Sequence, residues 1–350
     1  MSEASTVGDA ARERGVRLVS GLGLATLILV AGVAIAFSVG RFPVTLGDLG
    51  VALWSLISGQ PSGLAPATEA VIFNIRGPRV VAAILCGAAL AVAGAAFQGL
   101  FRNPLVSPDI LGASSGAALG AVIGIYFSLG IFGIQALAFA GGLLAVALVY
   151  LIGSAIRGGD TVLVLVLTGV VIGALLGAGV GLMKYLADPY NQLPAMTFWL
   201  LGSLAGTDKS DLLPLFGPVL AGTLVLFALR WRMNVMSLPE EEARALGLAT
   251  GPIRIAIVAA ATLVTAASVA AAGVIGWVGL IVPHLARFIV GPEFGRLIPT
   301  AALMGGGYLL IIDTLARSSA QIEIPLGILT AVIGTPFFIW LLVNARKSWS

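Results

Sequence analysis

Ten separate stretches of this chain are apolar over lengths set by a lipid bilayer, and that recurrence constrains the fold more than any other feature. A hydrocarbon core takes roughly 20 consecutive apolar residues per helix. The stretches are 18–40, 80–100, 105–128, 132–156, 161–186, 211–229, 255–275, 277–290, 297–318 and 325–344, the eighth being short for a full crossing. Inside lipid the backbone must satisfy its own hydrogen bonds, which makes each stretch a helix. Hydrophobic residues are 59% of the chain and charged residues 10%, far from the balance of a soluble domain. The expected class is an all-α polytopic membrane protein with about ten transmembrane helices. One further apolar piece, 195–206, is too short to span, and with Trp199 and the Asp188-Pro189 break before it, it reads as an interfacial helix.

The polar residues 1–17 read as a cytoplasmic N-terminal tail, and 18–346 as a single ten-span domain. The first apolar run is longer than a signal-peptide core and lacks a small-residue cleavage site, so it is expected to be an uncleaved span. Ten crossings put both termini on one side. With that side inside, thirteen of the 19 basic residues fall in or beside inner loops, as the positive-inside rule requires. The exceptions on the outer side are Arg41, Arg76, Arg79, Lys184, Lys209 and Arg317.

Charge is concentrated between the sixth and seventh runs, over Trp231 to Arg254. Glu240, Glu241 and Glu242 stand there beside Arg230, Arg232, Arg244 and Arg254. Ser237 and Glu240 have capping-box spacing, Pro239 suits a first turn, and Gly247 suits a C-cap. Two short helices joined at a glycine would form a handle protruding on the inner side; the alternative is a solvated loop that happens to be helical.

Two runs carry glycines at intervals of four, Gly112 to Gly124 and Gly169 to Gly181. That spacing keeps them on one helical face, so both helices are expected to be buried by close backbone packing. No phosphate-binding GxxxxGK[ST] loop occurs, so the chain does not hydrolyse ATP by that route. His284 is the only histidine and Cys86 the only cysteine, which speaks against a His- or Cys-based metal site. A structural hydrogen-bonding role is expected for His284. Apart from Asp313, and Lys184 near an outer end, ionisable groups lie in loops or towards the ends of the runs. Ion-coupled carriers usually keep intramembrane carboxylates for coupling, so energy is expected to arrive through the handle. At the outer mouth, Arg76, Arg79 and Arg317 suit either bidentate pairing with the carboxylates of a docking protein or snorkelling to lipid phosphate.

Long motifs in order, RGPRVVAAILCGAALAVAGAAFQGLFRNPLVSPDILGASSGAALG at 76–120, LPEEEARALG at 238–247, GVIGWVGLIVPHLARFIVG at 273–291 and the run 312–342, resemble the FecCD-type permeases. These are the membrane subunits of binding-protein-dependent ABC importers for ferric siderophores, haem and cobalamin. The resemblance implies a type II importer fold in a bacterial inner membrane. It implies a second permease chain, identical or homologous, and two ATP-binding subunits that carry ATP and Mg, with no cofactor in this chain. It also implies a periplasmic substrate-binding protein and no nucleic acid partner. Glu240, Glu241, Glu242, Arg244, Ala245, Leu246 and Gly247 would be the ATPase-coupling segment. Arg76, Arg79 and Arg317 would dock the binding protein. Asn103, Pro104, Leu105 and Thr161 would belong to the cytoplasmic gate. Ile312-Asp313 stands where many relatives have Ala-Asp. A ferric siderophore is the expected cargo, then haem or cobalamin, and the competing function is an ion-coupled secondary carrier.

Overall fold

The computed structural model describes residues 21–40, 42–156 and 161–345. The N-terminal tail, Arg41, Arg157 and the last five residues therefore lie outside the described residues, and so does the side chain of Thr161. The described chain is helical: α1 (Gly21–Ser38), α2 (Leu46–Ser58), α3 (Pro66–Ala70), α4 (Gly77–Leu100), α5 (Ala113–Tyr126), α6 (Ile131–Ala155), α7 (Thr161–Leu186) and α8 (Gln192–Leu201). Then follow α9 (Lys209–Ala228), α10 (Arg230–Met236), α11 (Glu240–Ala245), α12 (Thr250–Ala272), α13 (Val278–Val290), α14 (Phe294–Ser318) and α15 (Leu326–Ala345).

Each of the ten apolar runs contains a helix, but several ends differ. Among the described residues seven helices are long and apolar enough to cross a bilayer, and α5, α13 and α15 are the shorter apolar ones in the remaining runs. The second run begins earlier than hydropathy suggests. A π-helical segment, Val71–Arg76, joins α3 to α4 into one element of 35 residues, so polar Glu69, Asn74 and Arg76 lie on helix rather than in a loop. The third run begins later, because Pro104, a 3₁₀ turn at Pro108–Leu111 and left-handed Gly112 (φ 80°) delay α5. A helix that hydropathy did not single out, α2, follows α1. Its N-cap Thr45 and Asp48 form a reciprocal capping box, which satisfies end groups the first turn cannot. The interfacial piece is α8, ten residues long.

Helix α4 is the axis of the bundle. It packs on α14, α12 and α13, and its sequence, rich in Ala and Gly, is what allows this. A Cβ on Gly87 would run into the backbone of Gly305, and one on Gly94 into the backbone of Gly279. Glycine is required at both sites by the close approach of two main chains. Gly94→Leu is expected to destabilise the bundle by at least the roughly 1–3 kcal/mol of an overpacked core, seen as a lower unfolding midpoint in detergent. A midpoint equal to the parent's would show that the α4–α13 contact opens freely.

The two glycine ladders meet different fates. On α5, Gly116, Gly120 and Gly124 face Gly141, Leu137 and Ile134 of α6 at backbone distance, as expected. Helix α7 departs from the expectation of burial. Gly169 packs on Ile110 and Leu111 and Gly173 faces Ser115 of α5, but a Cβ on Gly177 or Gly181 would meet nothing within 4 Å among the described residues. Leu167, Val170, Val171 and Leu175 of the same helix are exposed. Equal spacing thus produced one internal seam and one ladder whose second half faces outward, because periodicity identifies a face without identifying what it meets.

Candidate coupling and docking sites

The charged handle lies at one end of the bundle. Helix α10 is tied to the start of α14 through Asn234, whose Nδ2 donates to Glu293 Oε1 (3.0 Å) and whose Oδ1 accepts from the Phe294 N–H (2.9 Å). Glu293 also caps α14 by accepting from the Gly295 and Arg296 amides. Ser237 does not form the expected capping box. It ends α10, its hydroxyl donating back to the Met233 carbonyl, and Pro239 takes the N-cap of α11 without a side-chain bond. At the other end, Gly247 (φ 80°) lets its amide reach the Arg244 carbonyl and the Leu248 amide reach that of Ala243. This is the paired closure of a Schellman motif, which glycine enters without steric cost.

Within the glutamate run the three carboxylates have different duties. Glu240 accepts from Arg244 Nη2 (2.6 Å), from Arg254 Nη2 (2.9 Å) and from the Thr250 hydroxyl (3.2 Å). Burial opposes its charge, but the hydrogen bond and charge of Arg254, with the charge of Arg244, outweigh that and hold its carboxyl below the usual range. It therefore clasps α11 to the first turn of α12. Glu241, Glu242, Arg244, Ala245, Leu246 and Gly247 are exposed, and Leu246 leaves 67% of its surface in the open at the tip. The handle is a clasp with an outward acidic and apolar tip.

Beside it lie the residues expected to form a gate. Arg102, Val162, Glu240 and Arg254 line one narrow cleft, so the loop after α4 and the start of α7 adjoin α11. In that loop, left-handed Arg102 (φ 49°) and an Asx turn, Leu105 N–H to Asn103 Oδ1 (2.9 Å), set the bend before Pro104. The Asn103 amide bonds to the Gln98 carbonyl (3.1 Å). Gln98 in turn donates to the Gly279 and Leu280 carbonyls and accepts from Arg287. The loop is thereby tied to α13. Thr161 opens α7.

The outer arginines gather at the far end of α4 and α14. From α10 to Arg317 is the length of α14, 25 residues, or about 37 Å. Arg76, Arg79, Asp313, Arg317 and Glu323 line one cavity of about 310 Å³. None of the three guanidiniums stands free. Arg76 is buried and donates to the Phe37 and Phe42 carbonyls. Arg317 donates to the Ala36 carbonyl and lies 3.9 Å from Asp313. Arg79 forms bidentate pairs with both Asp313 and Glu323. Asp313 thus holds this cluster together, and it is only 1% exposed. Glu323 carried no sequence signal, because its partner is 244 residues away.

His284 does not take the expected hydrogen-bonding role. Its ring lies edge-on to Phe288 with centroids 4.8 Å apart, and its Nε2 is buried with no hydrogen-bond partner among the described residues.

Comparison with known proteins agrees with this architecture. The model of the FecCD transport family matches residues 27–344. The chain is 39% identical over 322 residues to the molybdate import system permease protein MolB of Haemophilus influenzae, covering 92% of this chain and 95% of that one. It is 39% identical to the cobalamin import system permease protein BtuC of Halobacterium salinarum (93% and 88% covered) and 40% identical to the hemin transport system permease protein HmuU of Yersinia pestis (79% and 84%). A solved structure described as an inward-facing conformation of a metal-chelate type ABC transporter superposes with a TM-score of 0.83 at 38% identity, over 92% of this chain and 98% of that one.

Proposed function

The chain belongs to the FecCD transport family, and on that premise we propose that it is the permease subunit of an ABC importer that carries a metal chelate across a bacterial inner membrane. Both termini lie in the cytoplasm on this reading. A second permease chain, identical or homologous, and two ATP-binding subunits carrying ATP and Mg complete the translocating unit. A substrate-binding protein delivers cargo to the outer face. The cargo we favour is a ferric siderophore, followed by haem and cobalamin.

The observation that carries the reading is the clasped handle lying against the expected gate. A partner that grips Glu241, Glu242 and Leu246 moves α11. Through Glu240 and Arg254 that displacement enters α12, and across the shared cleft it reaches Arg102 and the start of α7. Rigid transmission of this kind suits a permease driven by conformational work done elsewhere. At the outer face, the cluster of Arg76, Arg79 and Arg317 suits acidic side chains of the binding protein. The open face of α7 suits contact with the second permease or with cargo.

An ion-coupled carrier needs a carboxylate that can release its ion or proton in the membrane, whereas Asp313 is bound bidentately by Arg79. Uptake into proteoliposomes distinguishes the two. Accumulation is expected only with the ATP-binding subunits and ATP inside, and uphill uptake on an ion gradient without them would refute the proposal. Ferric siderophore, haem, cobalamin and molybdate form the cargo panel, molybdate because MolB is named for it.

A further inference from the structure

Arg79 has no edge left to offer. Its Nε and Nη2 donate to Asp313 at 2.9–3.1 Å, and its Nη1 and Nη2 donate to Glu323 at 2.9 and 2.8 Å. A guanidinium binds carboxylates through its two forked edges, and both are taken. An incoming carboxylate can therefore pair with Arg79 only by replacing one of these two. Asp313 belongs to α14 and is 1% exposed, whereas Glu323 lies in the 319–325 connection and is 40% exposed. Only Glu323 can leave without opening the bundle.

We propose that Glu323 is an internal substitute for a partner's carboxylate, and that docking proceeds by exchange: an acidic side chain of the partner displaces Glu323 from the outer edge of Arg79. This rests on the docking role assigned above to the arginine cluster. One charge-assisted pair replaces another of the same kind, so the affinity gained at Arg79 is reduced by the cost of releasing Glu323. The empty permease meanwhile keeps its cationic outer face neutralised.

The exchange also loosens a loop, otherwise tied to α14 by the Ile324 amide on the Ala316 carbonyl (3.1 Å), that leads to a junction of three helix ends. Three residues after Glu323, the Leu326 amide donates to the Gly202 carbonyl (2.9 Å) at the end of α8. The next residue, Gly327, lies so close to the Leu201 and Val274 carbonyls that a Cβ there would sit 2.7 and 3.1 Å from them. Ser203 N–H meanwhile bonds to the Ala272 carbonyl at the end of α12 (2.8 Å). The ends of α8 and α12 and the start of α15 thus share one seam. A loop pulled or freed at Glu323 acts on that seam, giving the docked partner a mechanical route from the outer surface to the interior.

The test uses the assembled permease–ATPase complex in nanodiscs, with the substrate-binding protein of the same importer as titrant. Glu323→Gln keeps the shape and leaves the Arg79–Asp313 pair in place; it is expected to tighten binding about fivefold. Arg79→Gln is expected to weaken it. If Arg79→Gln leaves affinity unchanged, the docking reading fails. If Arg79→Gln weakens binding but Glu323→Gln leaves it unchanged or weaker, docking stands and exchange is refuted. A spin label at Ile322→Cys, a site 79% exposed, reports the loop. Its mobility should rise when the binding protein is added to the parent, and should already be high in Glu323→Gln. A label equally immobile in all three states would overturn the loop release.

Discussion

Replacing Asp313 with alanine is expected to cost about 3–5 kcal/mol of stability, the usual consequence of removing one member of a buried ion pair. The reason is the imbalance left behind. Arg79 and Arg317 are 12% and 11% exposed, and neither can turn fully to water when the carboxylate goes. Glu323 still reaches Arg79, but nothing else on the described face of α14 replaces the charge beside Arg317. Asp313→Asn separates charge from shape, because it keeps volume and one acceptor while losing the anion. Thermal unfolding in detergent should rank parent, Asn and Ala in descending order. An alanine variant as stable as the parent would mean that the arginines are already hydrated. A polar membrane group of this sort is read first as a functional carboxylate, and here the geometry gives it a structural duty within the outer arginine cluster.

The second large effect concerns coupling rather than stability. Arg254→Ala removes the strongest tie between α11 and α12, a 2.9 Å bond from a guanidinium that is 8% exposed. The local cost is about 1.5 kcal/mol, the lower figure for a hydrogen bond between charged groups, since Glu240 keeps Arg244 and some water. The functional cost should be larger. A handle that swivels absorbs the stroke instead of passing it on, so ATP hydrolysis is expected to persist while uptake per ATP falls severalfold. Glu240→Ala should do the same, and the double variant should be no worse than either alone, the non-additivity expected of two residues in one contact. Additive losses would show that the two residues act separately.

The same clasp has a defined pH response. The folded carboxyl of Glu240 is held below its ordinary value, so its contribution is complete above about pH 4.3, where the unfolded glutamate is ionised. It is lost as pH falls through the lower folded value. Coupling should therefore show no dependence on this group between pH 6 and 8.

Several features were legible from residues alone because they are local. Hydropathy located ten helices, since each span answers to the bilayer and not to its neighbours. The cluster of Glu and Arg at 238–254 marked the handle, and Gly247 its end. Ends were misjudged where a polar residue was carried inside a helix, as at Arg76 in its π turn, or where prolines and a left-handed glycine delayed one, as before α5. The ladder on α7 read the same as that on α5, yet only its first two glycines, Gly169 and Gly173, found neighbours to receive them.

What only the tertiary structure decided are the pairings across long separations. Sequence alone established a multi-span helical membrane protein, its charge asymmetry and the place of its handle. That Glu240 clasps while Glu241 and Glu242 face outward, that Asp313 neutralises arginines, and that Glu323 occupies Arg79 from 244 residues away emerged only with the packed bundle. The physical reason is range: hydropathy and helix capping are settled within a few residues, whereas an ion pair depends on which helix ends the fold brings to the same surface.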